Sequence, residues 1–210
     1  VTNGSNIENC TFQGTCSVTN KSTIKNGTFK KMCRVENWST ISGGAFACSV
    51  TNYGTIKDNG TFNGKVENYG TIENGTFTYD VINDSVDDVI SSSGTIDNGT
   101  FMGDVINRSG GTIADGTFAS GKTVENYSTI KNGTFKRRVT NDQRSIYGGT
   151  FAAGLSLSEN PGHIYRGVFN GNTALTTKAH KVTVTNGSVL KVNDEAPRKE
   201  DGTEDTAWDL

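Results

Sequence analysis

One twelve-residue phrase recurs along most of this 210-residue chain and constrains its fold more than any other feature. Residues 66–77 read VENYGTIENGTF, and close variants occupy 35–46, 50–62 and 124–135. All ten phenylalanines fall in one column of the repeat, and an isoleucine precedes each by five residues, or by six at Ile56. The phenylalanines are 15 to 18 residues apart, with one gap of 24. Such a period is typical of solenoids, whose units bury apolar residues only by stacking.

Within each unit the apolar residues follow the two-residue period of a β-strand. No heptad or 3.6-residue pattern fits them, and frequent Asn-Gly pairs break helices. The step from a phenylalanine to the next valine is four residues at Phe46–Val50 and six at Phe12–Val18. Both steps are even, so phenylalanine and valine stay on one face, whereas an odd shift would turn the apolar set outward. The pattern predicts short strands with valine, isoleucine and phenylalanine facing inward.

We therefore predict an all-β fold, a single-stranded parallel β-helix (solenoid) of about ten coils of 15–18 residues. Residues 1–171 form the repeats, with an insertion loop at about 85–93. Residues 172–210 form one or more cap strands with an acidic tail, or begin a further domain. Because residues 1–3 repeat an interior Val-Thr-Asn phrase, we expect the chain to be a segment of a longer protein.

Composition and charge exclude several classes of function. Only 32% of residues are apolar, too few for a thick globular core, yet valine, isoleucine and phenylalanine recur too regularly for disorder. The net charge is −2, so the chain lacks the basic surface that nucleic-acid binding requires. No apolar run approaches the roughly 18 residues of a membrane span, and we expect no membrane insertion of this segment.

A column of asparagines lies two residues after the valines, where each strand must turn. Asparagine tolerates left-handed backbone geometry, and its amide can bond a corner or the asparagine of the next coil. We predict a structural ladder rather than a ligand site. Its members are Asn3, Asn20, Asn37, Asn52, Asn68, Asn83, Asn107, Asn126 and Asn141. The glycine two residues before many phenylalanines is expected to supply the positive φ of a tight corner, as at Gly27, Gly60 and Gly133.

The four cysteines all lie in the first three coils. Cys16, Cys33 and Cys48 each stand two residues before a valine and so share one inward column. Neighbouring coils place Cα atoms ~4.8 Å apart, within disulfide range. A Cys16–Cys33 bridge, a Cys33–Cys48 bridge and free thiols that pack as small hydrophobes all fit this column. We predict no metal site here, because the spacing of zinc ligands is missing.

Two surface columns are candidate binding sites. Trp38, Tyr53 and Tyr69 occupy the same corner in successive units, and Tyr127 recurs there later. They would stack against sugar rings, or else pack across coils and shield the corner. The outward threonines before isoleucine and phenylalanine form a second array, which suggests ice binding as an alternative function. The charged residues that follow several isoleucines disfavour a flat ice-binding plane, and strand propensity also explains the threonines. These charged residues are Lys25, Lys57, Glu73, Asp97 and Lys131.

The insertion at about residues 85–93 is the candidate place for catalysis or metal binding. Asp84, Asp87 and Asp88, near Asp80, supply oxygen ligands of the kind calcium prefers, but without an EF-hand pattern a solvated acidic loop is the favoured interpretation. An alternative function is a carbohydrate-active β-helix enzyme, lyase- or hydrolase-like, with its site beside this loop. The two histidines, His163 and His180, lie near the end of the repeats, and no nucleophile or phosphate-loop motif occurs. We assign no catalytic residue and no cofactor, and predict a non-enzymatic protein.

Rows of V-x-N-x-G-T-I-x-N-G-T-F over about residues 1–170 resemble the β-helical stalks of bacterial surface proteins, such as filamentous-haemagglutinin-like and autotransporter adhesins. The resemblance is one of repeat style. It implies an extracellular or cell-surface location, a structural or adhesive role, and glycans or host surface proteins as partners. Those stalks are right-handed, so a right-handed helix is favoured. Their coils are longer than those of this chain, so the left-handed hexapeptide type stays the alternative.

Thirteen Asn-x-Ser/Thr sequons occur, including Asn26, Asn74, Asn98 and Asn132. Five of them lie in the Asn-Gly-Thr-Phe phrase of the repeat. Sugars on every corner, ~5 Å apart, would crowd one another, so we interpret the sequons as by-products of the repeat.

Overall fold

The described part of the chain consists of strands and turns. The computed structural model describes residues 1–85, 93–119, 121–142, 144–152, 155–157, 165, 167–169, 174–177 and 191–192. These residues include no helix, and hence none that is long and apolar enough to cross a lipid bilayer. The all-β prediction is confirmed.

Three parallel sheets stack into a solenoid, which confirms the predicted parallel β-helix. Each sheet is named here after the residue that it turns inward. The valine sheet has twelve strands, the isoleucine sheet eight and the phenylalanine sheet ten. Eight turns of about 17 residues therefore contribute to all three sheets. The isoleucine sheet has fewer strands than the ten repeat units of the sequence because Ile146 joins it only through an isolated bridge to Ile130, and Ile164 lies outside the described residues.

The strands are two to five residues long and follow the repeat. The valine sheet comprises Thr2–Asn3, Cys16–Asn20, Cys33–Asn37, Ser49–Asn52, Val66–Asn68, Val81–Asn83, Val105–Asn107, Val124–Asn126, Val139–Asn141, Leu155–Leu157, Ala174–Thr177 and Lys191–Val192. The isoleucine sheet comprises Ile7–Glu8, Thr23–Lys25, Thr40–Ser42, Thr55–Lys57, Thr71–Ile72, Thr95–Ile96, Thr112–Ile113 and Thr129–Ile130. The phenylalanine sheet comprises Thr11–Phe12, Thr28–Phe29, Ala45–Phe46, Thr61–Phe62, Thr76–Phe77, Thr100–Phe101, Thr117–Phe118, Thr134–Phe135, Thr150–Phe151 and Val168–Phe169.

Equivalent residues of consecutive coils pair with each other, and this register builds the core. Val66 pairs with Val81, for example, and Phe77 pairs with Phe101. Most of the inward valines, isoleucines and phenylalanines are completely buried as a result. Consecutive phenylalanine rings from Phe12 to Phe151 stack with centroids 4.7 to 5.0 Å apart. The core is thus a set of continuous columns that run along the solenoid.

The insertion leaves the register of the solenoid intact. Ile72 pairs directly with Ile96, although the coil between them is longer than the others. An antiparallel bridge between Ser85 and Ser93 closes the base of the insertion, whose residues 86–92 lie outside the described part of the chain. Within 172–210, the two described strands extend the valine sheet. The predicted tail or further domain otherwise lies outside the described residues.

Two of the glycine corners are built differently from the prediction. Gly133 has the expected positive φ of +142°, and a Cβ there would lie 2.9 Å from the ring of Phe135. Gly27 and Gly60 do not have a positive φ, so the expectation is wrong for them. Asn26 and Asp58 adopt it instead, with φ values of 52° and 59°. Asparagine and aspartate tolerate this region better than other residues with a side chain, so the turn moves to them.

Candidate functional site

An asparagine ladder runs along one interior corner of the solenoid. It comprises Asn20, Asn37, Asn52, Asn68, Asn83, Asn107, Asn126 and Asn141, all completely buried. Each side-chain nitrogen donates to the side-chain oxygen of the next member at 2.6 to 2.8 Å. The nitrogens also donate to corner carbonyls, as Asn68 does to Gly70 at 3.0 Å. The ladder therefore satisfies polar groups that are buried at every corner.

The cysteine column contains one disulfide bond, between Cys16 and Cys33. Their strands pair in register, with Cα atoms 4.4 Å apart. Cys48, one coil further, is a buried free thiol, and Cys10 is an exposed one. Burial raises the pKa of the Cys48 thiol to about 11, because desolvation disfavours the thiolate. Of the pairings that the sequence allows, the structure contains the one nearest the N-terminus.

A buried arginine occupies the same interior column, and the sequence interpretation missed it. Arg137 stands two residues before Val139 and is only 2% exposed. Its guanidinium donates to carbonyl oxygens of the two preceding coils, those of Phe101 at 2.7 Å, Gly103 and Ala119. Desolvation lowers the pKa of Arg137. The rule that places the cysteines inward, two residues before a valine, also includes Arg137. It does not single this residue out, because Tyr79 and Lys122 occupy equivalent positions and are exposed.

Three of the predicted aromatic residues form a continuous stack outside the asparagine ladder. We call Trp38, Tyr53 and Tyr69 the aromatic ridge. Ring centroids lie 4.2 Å apart between Trp38 and Tyr53 and 5.2 Å apart between Tyr53 and Tyr69, with planes tilted by 16° and 13°. Because the rings stack along the solenoid, each covers a flat face of its neighbour. The ridge therefore presents ring edges and polar ring atoms at the corner rather than a row of open flat faces.

Carboxylates lie beside the aromatic ridge. The indole nitrogen of Trp38 donates to Glu36 at 2.8 Å, and Glu67, two residues before Tyr69, forms an ion pair with Lys65 at 2.8 Å. Burial raises the pKa of Tyr69, and the negative charge of Glu67 raises it further, so the phenol stays neutral at ordinary pH. The ridge combines apolar ring edges with hydrogen-bond donors and acceptors. This chemistry suits sugar hydroxyls and the polar surfaces of proteins.

Tyr127 occupies the same corner position but is separate from the aromatic ridge. The two intervening coils place Asp84 and Arg108 at this position, and these residues form an ion pair at 3.2 Å. The Tyr127 hydroxyl donates to Glu125 at 3.2 Å. The structure therefore brings together three of the four predicted aromatic residues and separates the fourth from them by the two coils of this ion pair.

The phenylalanine sheet has an uncharged outer face over five consecutive coils. Two outward positions flank each inward ring from Phe46 to Phe118. They hold Ala45, Ala47, Thr61, Asn63, Thr76, Thr78, Thr100, Met102, Thr117 and Ala119. In the coils on either side of these five, the outward positions carry Lys30 and Lys136. The charged residues that follow the isoleucines, beginning with Lys25, lie on the isoleucine sheet. The charges that disfavour an ice-binding plane therefore lie on a different sheet from this uncharged face.

The acidic insertion falls largely outside the described residues. Asp84 at its base pairs with Arg108, whereas Asp87 and Asp88 are not described, nor are His163 and His180. The enzyme alternative beside this loop therefore concerns residues beyond the described part. Among the described side chains, no group of three or more histidines, cysteines, aspartates and glutamates is placed to hold a metal ion.

Comparisons of the chain with protein-family models, with curated proteins and with solved structures give no match. The parallel solenoid is established by the structure itself. The likeness to bacterial surface stalks stays a resemblance of repeat style.

Proposed function

We propose that this chain is a non-enzymatic stalk or adhesive segment of a bacterial surface or secreted protein. The observation that supports this function is the unbroken register, from the Ile7–Ile24 pair to the Phe135–Phe151 pair. Each coil is hydrogen-bonded to the coil on either side, so a displacement of one coil strains its neighbours. Such a rod holds its two ends at a constant distance, which is what a stalk requires.

The disulfide bond supports an extracellular setting. The Cys16–Cys33 bond lies between adjacent coils near the N-terminal end of the rod. Disulfides persist in oxidising compartments and are rare where thiols are kept reduced. A location on the cell surface or in the external medium fits this bond.

The stalk function is tested by displaying a small binding domain at the far end of the chain on a cell surface. The intact rod should hold the domain clear of the cell, so that it captures a bulky soluble ligand. The matched control carries Phe77→Asp and Phe101→Asp, which bury charges in the core and collapse the rod at unchanged chain length. Equal capture by the intact and the collapsed chain would overturn the stalk function.

We propose the aromatic ridge as the adhesive surface, with glycans or host surface proteins as partners. The test compares the intact chain with the combined Trp38→Ala, Tyr53→Ala and Tyr69→Ala variant on glycan and protein arrays. Affinity should fall roughly 30-fold or more, because one buried aromatic anchor is worth about 2 kcal/mol. The control is Tyr79→Ala, an exposed tyrosine away from the ridge, which should bind normally. Binding that survives the triple substitution would exclude the ridge.

Ice binding is a second candidate, and the uncharged face is the observation that favours it. Thr61, Thr76, Thr100 and Thr117 align there in register, ~4.8 Å from coil to coil. If this plane binds ice, the intact chain shows thermal hysteresis, and Thr76→Lys abolishes it. Thr71→Lys, on the isoleucine sheet, should leave hysteresis unchanged. Absence of hysteresis from the intact chain would exclude this function.

A further inference from the structure

The fold sorts the Asn-x-Ser/Thr sequons of this chain into two groups. Five sequon asparagines belong to the buried asparagine ladder, with no exposed area: Asn20, Asn37, Asn83, Asn107 and Asn126. Six others lie at the opposite kind of corner, between the isoleucine and phenylalanine strands, and are exposed or half-buried. We call these six the sequon edge: Asn9, Asn26, Asn59, Asn74, Asn98 and Asn132.

The local geometry of the sequon edge leaves the acceptor atom accessible. At Asn98, the backbone nitrogen of Gly99 donates to the side-chain oxygen at 2.8 Å, which orients the amide and leaves its nitrogen outside that bond. The same bond forms between Gly75 and Asn74. The side-chain nitrogens of Asn74 and Asn132 also donate to Asn59 at 3.2 Å and to Asp115 at 3.4 Å, and both of these bonds lie at the exposed surface. In five of the six sequons the middle residue is glycine, so no side chain stands beside the acceptor. The third residue of all six sequons is threonine. In the five Asn-Gly-Thr sequons this threonine, such as Thr100, is half-buried on the outer face of the phenylalanine sheet.

Spacing along the sequon edge predicts unequal use of its members. Asn59, Asn74 and Asn98 occupy three consecutive coils, ~4.8 Å apart, which is too close for three neighbouring sugars. Asn132 has no sequon beside it, because the adjacent coils carry Asp115 and a glycine pair at that corner. The isolated Asn132 and the outer two of the three neighbours are therefore the favoured positions, and Asn74 is the crowded one.

We propose that the sequon edge is an acceptor surface for N-linked sugars. In the reaction, the side-chain nitrogen of an edge asparagine attacks the anomeric carbon of a sugar activated as a glycosyl phosphate ester, such as a nucleotide-diphosphate sugar. The carbon–nitrogen bond forms while the bond from the anomeric carbon to the phosphate oxygen breaks. The phosphate leaves with the electron pair, and the amide nitrogen releases one proton to a base of the transferase. The sugars project from one longitudinal edge, away from the aromatic ridge.

The test treats the folded chain with an N-glycosyltransferase that uses UDP-glucose, followed by peptide mapping with mass spectrometry. We expect hexose on Asn132, Asn59 and Asn98, less on Asn74, and none on ladder asparagines such as Asn107. Chemically unfolded chain is the internal control, since unfolding exposes the ladder and should allow Asn107 to be modified. Thr134→Ala, which removes the sequon of Asn132, should abolish modification there alone, with circular dichroism confirming that the variant folds.

Three outcomes would overturn the proposal. In the first, the edge asparagines of the folded chain stay unmodified while the unfolded chain accepts hexose. In the second, the ladder asparagines of the folded chain react as well as the edge asparagines. The third concerns the protein purified from its natural source. Its edge peptides should carry sugar, and edge peptides of unmodified mass would show that the surface is not used.

Discussion

At the scale of single residues, the asparagine ladder joins each coil to the next through one side chain. Asn68 accepts from Asn52 at 2.7 Å and donates to Asn83 at 2.8 Å. A ladder asparagine is thus both donor and acceptor, and neither glutamine nor aspartate reproduces its length and both roles. The repeated asparagine of the sequence is a packing requirement of every corner.

We expect Asn68→Ala to lower the free energy of unfolding by about 2–6 kcal/mol, because the two neighbouring ladder asparagines each lose a buried hydrogen bond at roughly 1–3 kcal/mol per bond. Urea unfolding followed by circular dichroism measures the change. The control is Asn63→Ala, which removes one exposed bond from Thr78 and should cost under about 1 kcal/mol. Equal losses in the two variants would mean that the ladder contributes no special stability.

Arg137 is the second residue whose interior role can be tested. Arg137→Met keeps much of the side-chain volume but removes the guanidinium donor of the Gly103 and Ala119 carbonyl oxygens, so stability should fall by about 2–4 kcal/mol. The Phe101 carbonyl keeps its backbone bond from Ala119. The preceding exposed residue offers a control variant, Lys136→Met, which should change stability by less than about 0.5 kcal/mol. An Arg137→Met chain as stable as the original would show that the buried guanidinium is dispensable.

The two free thiols should differ in reactivity with pH. The thiolate is the reactive form, and a pKa of about 11 keeps Cys48 protonated at pH 8, whereas Cys10 is exposed. Iodoacetamide should therefore label Cys10 in the folded chain at pH 8 and Cys48 only on unfolding or as the pH approaches 11. Mass spectrometry of the labelled peptides gives the two rates. Similar rates at pH 8 would contradict the burial of Cys48.

At the scale of the coil, the disulfide bond stabilises the end of the solenoid where stacking is one-sided. Closing a loop of about this length contributes about 3 kcal/mol by restricting the unfolded chain. We expect Cys16→Ser combined with Cys33→Ser to lower the stability of the first coils by that amount. Hydrogen exchange should then quicken for residues 1–37 and stay unchanged beyond Phe101, because repeats couple mainly to their neighbours. Cys10→Ser is the control, and uniform acceleration along the chain would contradict this local effect.

Individual strands of the solenoid were predictable from parity, but their corners were only partly so. Even steps between phenylalanine and valine predict which residues face inward, and the buried columns have this arrangement. The corner at Gly27 differs because Asn26, and not Gly27, has the positive φ. Asparagine and glycine both tolerate this conformation, so their sequence does not decide which of the two adopts it. Strand parity depends on sequence spacing alone, whereas the position of a tight turn depends also on the coil beneath it.

At the scale of the whole molecule, the fold depends on the register in which equivalent residues of consecutive coils pair. Deleting residues 50–65 joins Ser49 to Val66 and should remove one coil, leaving a folded rod ~4.8 Å shorter. Deleting residues 50–66 instead places Glu67 at the inward valine position and Tyr69 at the ladder position. We expect the second variant to unfold at much lower urea concentration, because the shift turns a whole strand over and buries a charge. Similar unfolding midpoints for the two deletions would contradict the parity rule.

The amino-acid sequence alone determined the parallel solenoid and its inward columns of valine, isoleucine, phenylalanine and asparagine. The even step from phenylalanine to valine keeps both residues on one face of the strand, and units of this kind bury their apolar residues only by stacking. Tertiary structure alone decided that Cys16 pairs with Cys33, that the ridge rings cover one another, and that Arg137 bonds across coils. It also decided which sequons are buried and which form an exposed edge. Each of these depends on the distances between coils, and distances between residues far apart in the chain exist only once the coils have stacked.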